Sequence, residues 1–108
     1  MAVDEALLTK VAARGGDTTT VRLATLDLIH LRVAEGQGTE VAGELEAMIV
    51  GRDRSLPRDV ALYELGALYV KEQRFDEARE YLQKLVDEFP ESPYAGEAQR
   101  RLQELGSA

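Results

Sequence analysis

The sequence of 108 residues predicts an all-α fold, a short solenoid built of helical hairpins. Apolar residues recur at intervals of three and four along most of the chain, which is the spacing that gives a helix one apolar face. The three prolines, at positions 57, 90 and 93, fall at breaks between these segments, as expected because proline interrupts a helix interior. The apolar positions also recur at an offset of 37 residues, which indicates a repeated pair of helices.

Three helices are predicted in the first half of the chain. The first covers about residues 4–13 and ends before a pair of glycines. The second begins after Asp17, whose side chain can cap its first turn, and ends at about Glu35. The third begins at Thr39, another capping residue, and its apolar positions keep the same spacing to Ile49.

Three more helices are predicted in the second half. Pro57 suits the first turn of the fourth helix, where its missing N–H is tolerated. The fifth begins near Phe75 and continues to Phe89, and acidic residues follow Phe75 at the positive end of the helix dipole. Ser92 and Pro93, a capping residue and a first-turn proline, begin the sixth helix.

The composition excludes several classes of partner and chemistry. A net charge of −7 argues against binding to nucleic acid, because phosphate recognition requires clustered Lys and Arg. The chain contains no cysteine, which removes disulfides, thiolate metal sites and thiol catalysis. Its start lacks a basic segment followed by an apolar one, and no apolar stretch reaches about 18 residues, so we expect no membrane insertion by this segment.

Three apolar positions recur three times at the offset of 37 residues. One hairpin cannot bury its own apolar face, so the repeat predicts neighbouring hairpins that cover each other. We expect repeat units at about residues 18–54 and 55–90, and a final capping helix at 92–105, within a repeat domain of residues 17–108. Residues 1–16 are expected to form an amino-terminal capping helix. The recurring positions are Ala24, Ala61 and Ala98; Leu28, Leu65 and Leu102; and Leu31, Leu68 and Leu105.

The second unit resembles the tetratricopeptide repeat family. It has the family's pattern of small, aromatic and proline residues, with Leu82 where the pattern prefers Phe. The offset of 37 residues exceeds the family's usual repeat of about 34. The first unit fits less well, because Ile29, Arg32 and Val41 replace the Gly, Tyr and Ala of the pattern. The resemblance implies paired helices that approach closely at small residues, and a non-enzymatic protein that binds other proteins. The matching residues of the second unit are Leu65, Gly66, Tyr69, Ala78 and Pro90.

The segment from Phe89 to Ala95 carries a narrower resemblance. Together with Ala98, Arg101 and Leu102, it is similar to the ends of tetratricopeptide arrays in bacterial envelope proteins. These proteins are the ancillary translocon subunit, the cell-division coordinator and the outer-membrane assembly lipoprotein. The resemblance implies a bacterial protein of the cell envelope, periplasmic or membrane-associated rather than cytoplasmic, and it does not select among the three.

The sequence offers no complete catalytic or metal-binding constellation. Asp27 and His30 share a helical face, as an acid–base or metal-binding pair would require. No second histidine and no cysteine completes such a site. We therefore expect no catalytic residue, no metal and no cofactor. The alternative, an enzyme, would require chemistry on Asp27, His30 or Glu64.

The resemblance also implies where a partner would bind. In tetratricopeptide proteins the first helix of each hairpin lines the concave surface, and partner peptides bind there. We expect a mostly apolar groove that binds an apolar or amphipathic segment of another protein, with self-association into a homo-oligomer as the alternative. A third interpretation has the face covered by other parts of the protein, including the first helix folding back. A fourth assigns the same residues to an ordinary core. The sixth helix would add the polar residues Glu97, Arg100, Arg101 and Glu104. The predicted groove residues are Leu23, Leu26, His30, Val33, Val60, Tyr63, Ala67, Val70 and Lys71.

Overall fold

The computed structural model describes residues 18–106, and all regular secondary structure in that range is helical. The predicted all-α fold is therefore confirmed. The predicted helix at residues 4–13 lies outside the described residues. Within residues 18–106, no helix is long and apolar enough to cross a bilayer. The five helices are α1 (Thr18–Ala34), α2 (Gly38–Ile49), α3 (Arg58–Lys71), α4 (Phe75–Glu88) and α5 (Ala95–Gly106).

Contacts between Cα atoms divide the chain into two compact units, residues 1–43 and residues 44–108. The division falls inside α2, so α1 belongs to the first unit, and α3, α4 and α5 belong to the second. The repeat units at about residues 18–54 and 55–90, and the capping helix at residues 1–16, depend on the sequence pattern. They stay predictions.

In the first unit, α1 buries a face that includes Ala24, Thr25 and Ile29. The Thr25 hydroxyl donates a hydrogen bond of 2.8 Å to the carbonyl oxygen of Val21, one turn earlier. This bond removes the cost of burying a hydroxyl without a partner. A polar residue therefore fits on the buried face of α1.

Three helices end in the same hydrogen-bonded turn. At the end of α3, the Arg74 N–H donates to the Tyr69 carbonyl at 2.8 Å, and the Gln73 N–H donates to the Val70 carbonyl at 3.0 Å. This Schellman pattern requires a positive φ at the residue beyond the helix, which glycine adopts without steric cost and other residues do not. The residues in that position after α1, α2 and α3 are Gly36 (φ 89°), Gly51 (φ 84°) and Gln73 (φ 62°).

In the second unit, α3 packs against α4, and α4 packs against α5. Gly66 in α3 faces Leu82 in α4 at a separation that leaves no room for a β-carbon. Ala78 in α4 is fully buried. The small residues therefore lie where the family pattern implies close helix packing. The largest fully buried side chains of this unit are Leu45, Leu62, Leu65, Leu82 and Leu85.

Two side chains of α3 bond to the end of α2, whose last residues belong to the same unit. The Tyr69 hydroxyl donates to Glu46 Oε1 at 3.0 Å. Arg58 donates to the Ile49 carbonyl and forms a two-point ion pair with Glu88, with Nε–Oε1 and Nη2–Oε2 distances of 3.0 and 3.1 Å. Arg58 therefore fixes the start of α3 against the ends of both α2 and α4.

Candidate functional site

Tyr63, Ala67 and Val70 form a line of half-buried side chains along α3, which we name the α3 row. Their spacing of four and three places them on one face of the helix. Leu62 and Leu65 lie in the core and are fully buried. The helix is thus apolar both toward the core and along the α3 row. Apolar surface beyond that of the core favours contact with another apolar group, so the α3 row is a surface suited to being covered.

Tyr94, Glu97 and Arg101 form a second half-buried line, which we name the α5 row. Tyr94 immediately precedes α5, and the other two residues lie within it. The rings of Tyr63 and Tyr94 have centroids 5.1 Å apart and planes inclined at 35°. Aromatic pairs of this kind add about 0.5–1.5 kcal/mol beyond the burial of their surface. The α3 row and the α5 row therefore meet at a tyrosine pair.

Arg101 connects the two rows through its inner nitrogen. Its guanidinium carbon lies 5.6 Å from the centroid of the Tyr63 ring, and its Nε donates to the Tyr63 hydroxyl at 3.3 Å. The same Nε lies 3.7 Å from Glu97 Oε1, which also pairs with Arg100. The hydrogen bond to Glu97 raises the pKa of Arg100. Cation–π and hydrogen-bond contacts together fix the Arg101 side chain against the ring.

A short network positions Tyr94 over Tyr63. The Ser92 hydroxyl donates to Asp59 Oδ2 at 2.7 Å, and the Tyr94 N–H donates to Ser92 Oγ at 3.1 Å. Asp59 lies in the first turn of α3. The network therefore attaches the turn before α5 to the start of α3, and it fixes where the two rows meet.

The predicted groove residues on α3 divide into two groups. Tyr63, Ala67 and Val70 are half-buried and Lys71 is exposed, so all four can contact a partner. Val60 is 2% exposed. Its place in the groove is therefore wrong, because a side chain buried in the core has no surface to offer a partner.

The other predicted groove residues lie on α1. Leu23 is 57% exposed, His30 is exposed, and Leu26 and Val33 are half-buried. Their role in partner binding stays a prediction. His30 and Asp27 are both exposed, and within residues 18–106 no three His, Asp or Glu side chains converge as metal ligands would.

Sequence reasoning missed Tyr94 as part of the site. The offset of 37 residues places Tyr94 opposite Pro57, so the repeat gave no reason to pair it with Tyr63. The available signal was the pair Ser92 and Pro93, because it indicates the residue at which the last helix begins. The contact itself depends on the turn between α4 and α5, whose shape periodicity does not report.

A cavity of about 470 Å³ lies apart from both rows, between the start of α4 and the end of α5. Arg79 spans its wall, because it pairs with Asp76 and donates from Nη1 to the Leu105 carbonyl at 3.4 Å. A cation at the last carbonyls of a helix stabilises its negative end. We therefore assign this arginine to helix packing. The cavity is lined by Gln73, Phe75, Asp76, Arg79, Glu104 and Leu105.

Comparison with known proteins gives one match. Residues 60–92 match a family model described as Tetratricopeptide repeat. The matched segment covers almost all of α3, the whole of α4 and the turn that ends at Ser92. It supports the tetratricopeptide repeat family for this hairpin. No curated protein and no solved structure matches the chain.

Proposed function

Starting from the tetratricopeptide repeat matched at residues 60–92, we propose that this protein is a non-enzymatic scaffold that binds a segment of another protein. The proposed binding surface combines the α3 row and the α5 row. Tetratricopeptide repeats generally mediate contacts between proteins. The match supports that general function, and the particular surface is our proposal.

The observation that carries the proposal is the second apolar face of α3. Tyr63, Ala67 and Val70 are half-buried although the opposite side of the helix already lies in the core. Residues that dominate the binding energy of protein interfaces are enriched in Tyr and Arg. The tyrosine pair and Arg101 supply those residue types at the junction of the two rows.

The partner that this surface fits is an apolar or amphipathic segment. Ala67 and Val70 offer no hydrogen-bonding side chain, so they favour apolar contacts. The tyrosine rings add flat apolar surface with one polar edge each. A segment with apolar side chains at the centre and polar groups at the margin would complement these features.

The test is selection of binders from a random-peptide display library against the full chain. We expect enriched peptides whose affinity falls about tenfold or more when Tyr63→Glu and Val70→Glu are combined, because charges would replace two central apolar contacts. The affinities are measured by fluorescence anisotropy with synthetic peptides. Circular dichroism verifies that the variant keeps its helices, and Val70→Glu alone serves if the double variant does not fold.

The matched control introduces two glutamates at exposed positions outside both rows. Val50 is 66% exposed at the end of α2, and Gln99 is exposed on α5. Val50→Glu combined with Gln99→Glu should leave peptide affinity within about twofold, because neither side chain belongs to the surface. Equal losses in both double variants, or unchanged affinity in the first, would overturn the proposed surface.

The alternative function is self-association, in which the same rows cover each other in two copies of the chain. Light scattering at high micromolar concentration distinguishes the two functions. A mass of one chain contradicts self-association. A doubled mass that Tyr63→Glu with Val70→Glu abolishes would favour it over binding of a different protein.

We also propose a location in the bacterial cell envelope. The support is the resemblance of the segment from Phe89 to Ala95 to the ends of tetratricopeptide arrays in envelope proteins. The test is fractionation of the source cells with an antibody against the protein. We expect it in the periplasmic or membrane fraction, and recovery only from the cytoplasm would contradict the proposal.

A further inference from the structure

The two terminal nitrogens of the Arg101 guanidinium, its open end, form no hydrogen bond within the described residues. Each contact of its nitrogens, to the Tyr63 hydroxyl and to Glu97, is made by Nε. Within residues 18–106, no group accepts a hydrogen bond from Arg101 Nη1 or Nη2. The side chain is 31% exposed, so part of it is accessible to a partner beside Tyr63.

The other arginines on or beside α3, α4 and α5 are different. Each of them uses at least one terminal amino group in an ion pair with an acidic side chain of this unit. Arg58 uses both terminal amino groups, one on Glu88 and one on the Ile49 carbonyl. Arg101 is therefore the exception among these helices in the described part of the chain. The paired arginines and their partners are Arg58 with Glu88, Arg74 with Glu77, Arg79 with Asp76, and Arg100 with Glu97.

An arginine fixed in this way is suited to one kind of ligand. Two parallel N–H groups of a guanidinium match the two oxygens of a carboxylate. The contacts with Tyr63 restrict the side chain before a partner arrives, which lowers the entropic cost of forming such a pair. Half-burial beside the Tyr63 ring also weakens the screening by water.

The charges that face Arg101 leave room for an additional anion. Glu97 is shared by Arg100 and Arg101, so two guanidinium groups face one carboxylate. The ring of Tyr63, at one end of the α3 row, lies beside the Arg101 guanidinium.

We infer that Arg101 binds an acidic side chain of the partner, next to an apolar side chain that covers the α3 row. This inference rests on the proposed function, because it names the chemistry of the segment that the surface takes. The acid pairs with Nη1 and Nη2, while Nε keeps its contacts to Tyr63 and Glu97. The group recognised belongs to a side chain within the segment, so the free end of a peptide is not required.

The experiment uses peptides enriched by display selection on the full chain, synthesised with both ends blocked. Each peptide is compared with a version in which its acidic residue is replaced by the matching amide. On the wild-type protein, we expect the replacement to weaken binding about tenfold, the effect of losing a charge-assisted hydrogen bond. On Arg101→Gln, the same replacement should have no effect, since the pairing group is already absent.

Two further variants isolate the geometry of the guanidinium. Arg74→Gln removes the same charge from a position outside both rows, where the side chain is 51% exposed, and should change affinity by less than about twofold. Arg101→Lys keeps the charge but loses the parallel N–H groups, so it should restore only part of the lost affinity. Thermal unfolding establishes that each variant is folded, and Arg101→Lys serves if Arg101→Gln is not.

The outcomes separate this inference from the proposed function. One outcome is that the enriched peptides lack acidic residues and yet bind the double variant Tyr63→Glu with Val70→Glu more weakly than wild type. In that case the scaffold function stands and the role of Arg101 is wrong. The role is also wrong if blocked peptides fail where peptides with a free carboxyl end bind. If the amide replacement weakens binding equally on wild type and on Arg101→Gln, the acid contacts another residue. If no peptide is enriched, both the function and the inference are contradicted.

Discussion

A β-carbon at residue 66 would stand 2.7 Å from Leu82 Cδ2 and 2.8 Å from Leu82 Cγ, so Gly66 and Leu82 set the distance between α3 and α4. Leu82 is fully buried, and a packed core gives its side chain no space to move into. We predict that Gly66→Ala lowers the free energy of unfolding by about 1–2 kcal/mol, the cost of overpacking less the gain in helix propensity. Urea denaturation followed by circular dichroism measures it.

The control for Gly66 is a helical glycine with open surroundings. A β-carbon on Gly43 in α2 would meet no atom within 4 Å. Gly43→Ala should therefore stabilise the protein by about 0.5–1 kcal/mol. Gly66→Ala should also become stabilising in a Leu82→Ala background, where the obstructing atoms are gone. If Gly66→Ala stabilises the wild-type protein as Gly43→Ala does, the two helices are not in tight contact.

Gln73 ends α3 in a conformation that glycine adopts after α1 and α2. Its φ of 62° places the β-carbon of an L-residue in steric conflict, and no hydrogen bond or ion pair of its side chain offsets that cost within the described residues. We predict that Gln73→Gly raises the free energy of unfolding by about 0.5–1 kcal/mol. Gly51→Ala should change it by a similar amount in the opposite direction. Thermal unfolding of both variants tests the pair, and a destabilised Gln73→Gly would show that the side chain has a role in packing.

Periodicity predicted the α3–α4 core because its residues follow the helical spacing of apolar side chains, which is visible in the sequence. Leu62, Leu65 and Leu82 are fully buried, as a repeated apolar stripe requires. The small residues of the family pattern likewise lie at the helix contact, since close approach permits no larger side chain at Gly66.

Periodicity failed where burial depends on what another segment covers. Val60 lies three residues before Tyr63 on the same stripe of α3, but it is buried while Tyr63 is half-buried. Leu56 lies between α2 and α3, outside both helices, and is 3% exposed. The contact between Tyr63 and Tyr94 depends on the turn before α5, which is fixed by Ser92 and not by any repeat. A helical period gives the direction of a side chain, and it does not give the neighbour that covers it.

Tyr69 connects stability to pH through its contact with Glu46. Burial, together with the hydrogen bond to Glu46, raises the pKa of Tyr69 from 10 to about 12. Because the folded-state pKa lies above the unfolded value, the stability contributed by the protonated phenol is complete below pH 10 and is lost as the pH rises through about 12. We predict that Tyr69→Phe removes the last step of tyrosine ionisation, which is measured by ultraviolet absorbance. The same variant should make the fall in the free energy of unfolding above pH 10 shallower.

Glu46→Gln is the companion variant for that titration. It removes the negative charge that disfavours ionisation, so the pKa of Tyr69 should fall. It should stay above 10, because burial is the largest cause of the shift and is unchanged. An ionisation curve that is identical in wild type and in Tyr69→Phe would contradict the assignment.

Ser92 attaches α5 to α3, so its loss should loosen α5 selectively. Ser92→Ala removes both the hydrogen bond to Asp59 and the cap on the Tyr94 N–H, at a cost of about 1 kcal/mol. We expect faster hydrogen exchange at the amides of α5, with those of α3 and α4 nearly unchanged, and weaker peptide binding, because Tyr94 and Arg101 lose their fixed position over Tyr63. Ser55→Ala is the matched control, since within residues 18–106 the Ser55 hydroxyl forms a hydrogen bond only with Asp53, in its own loop. Uniformly faster exchange across all three helices would show instead that Ser92 stabilises the whole unit.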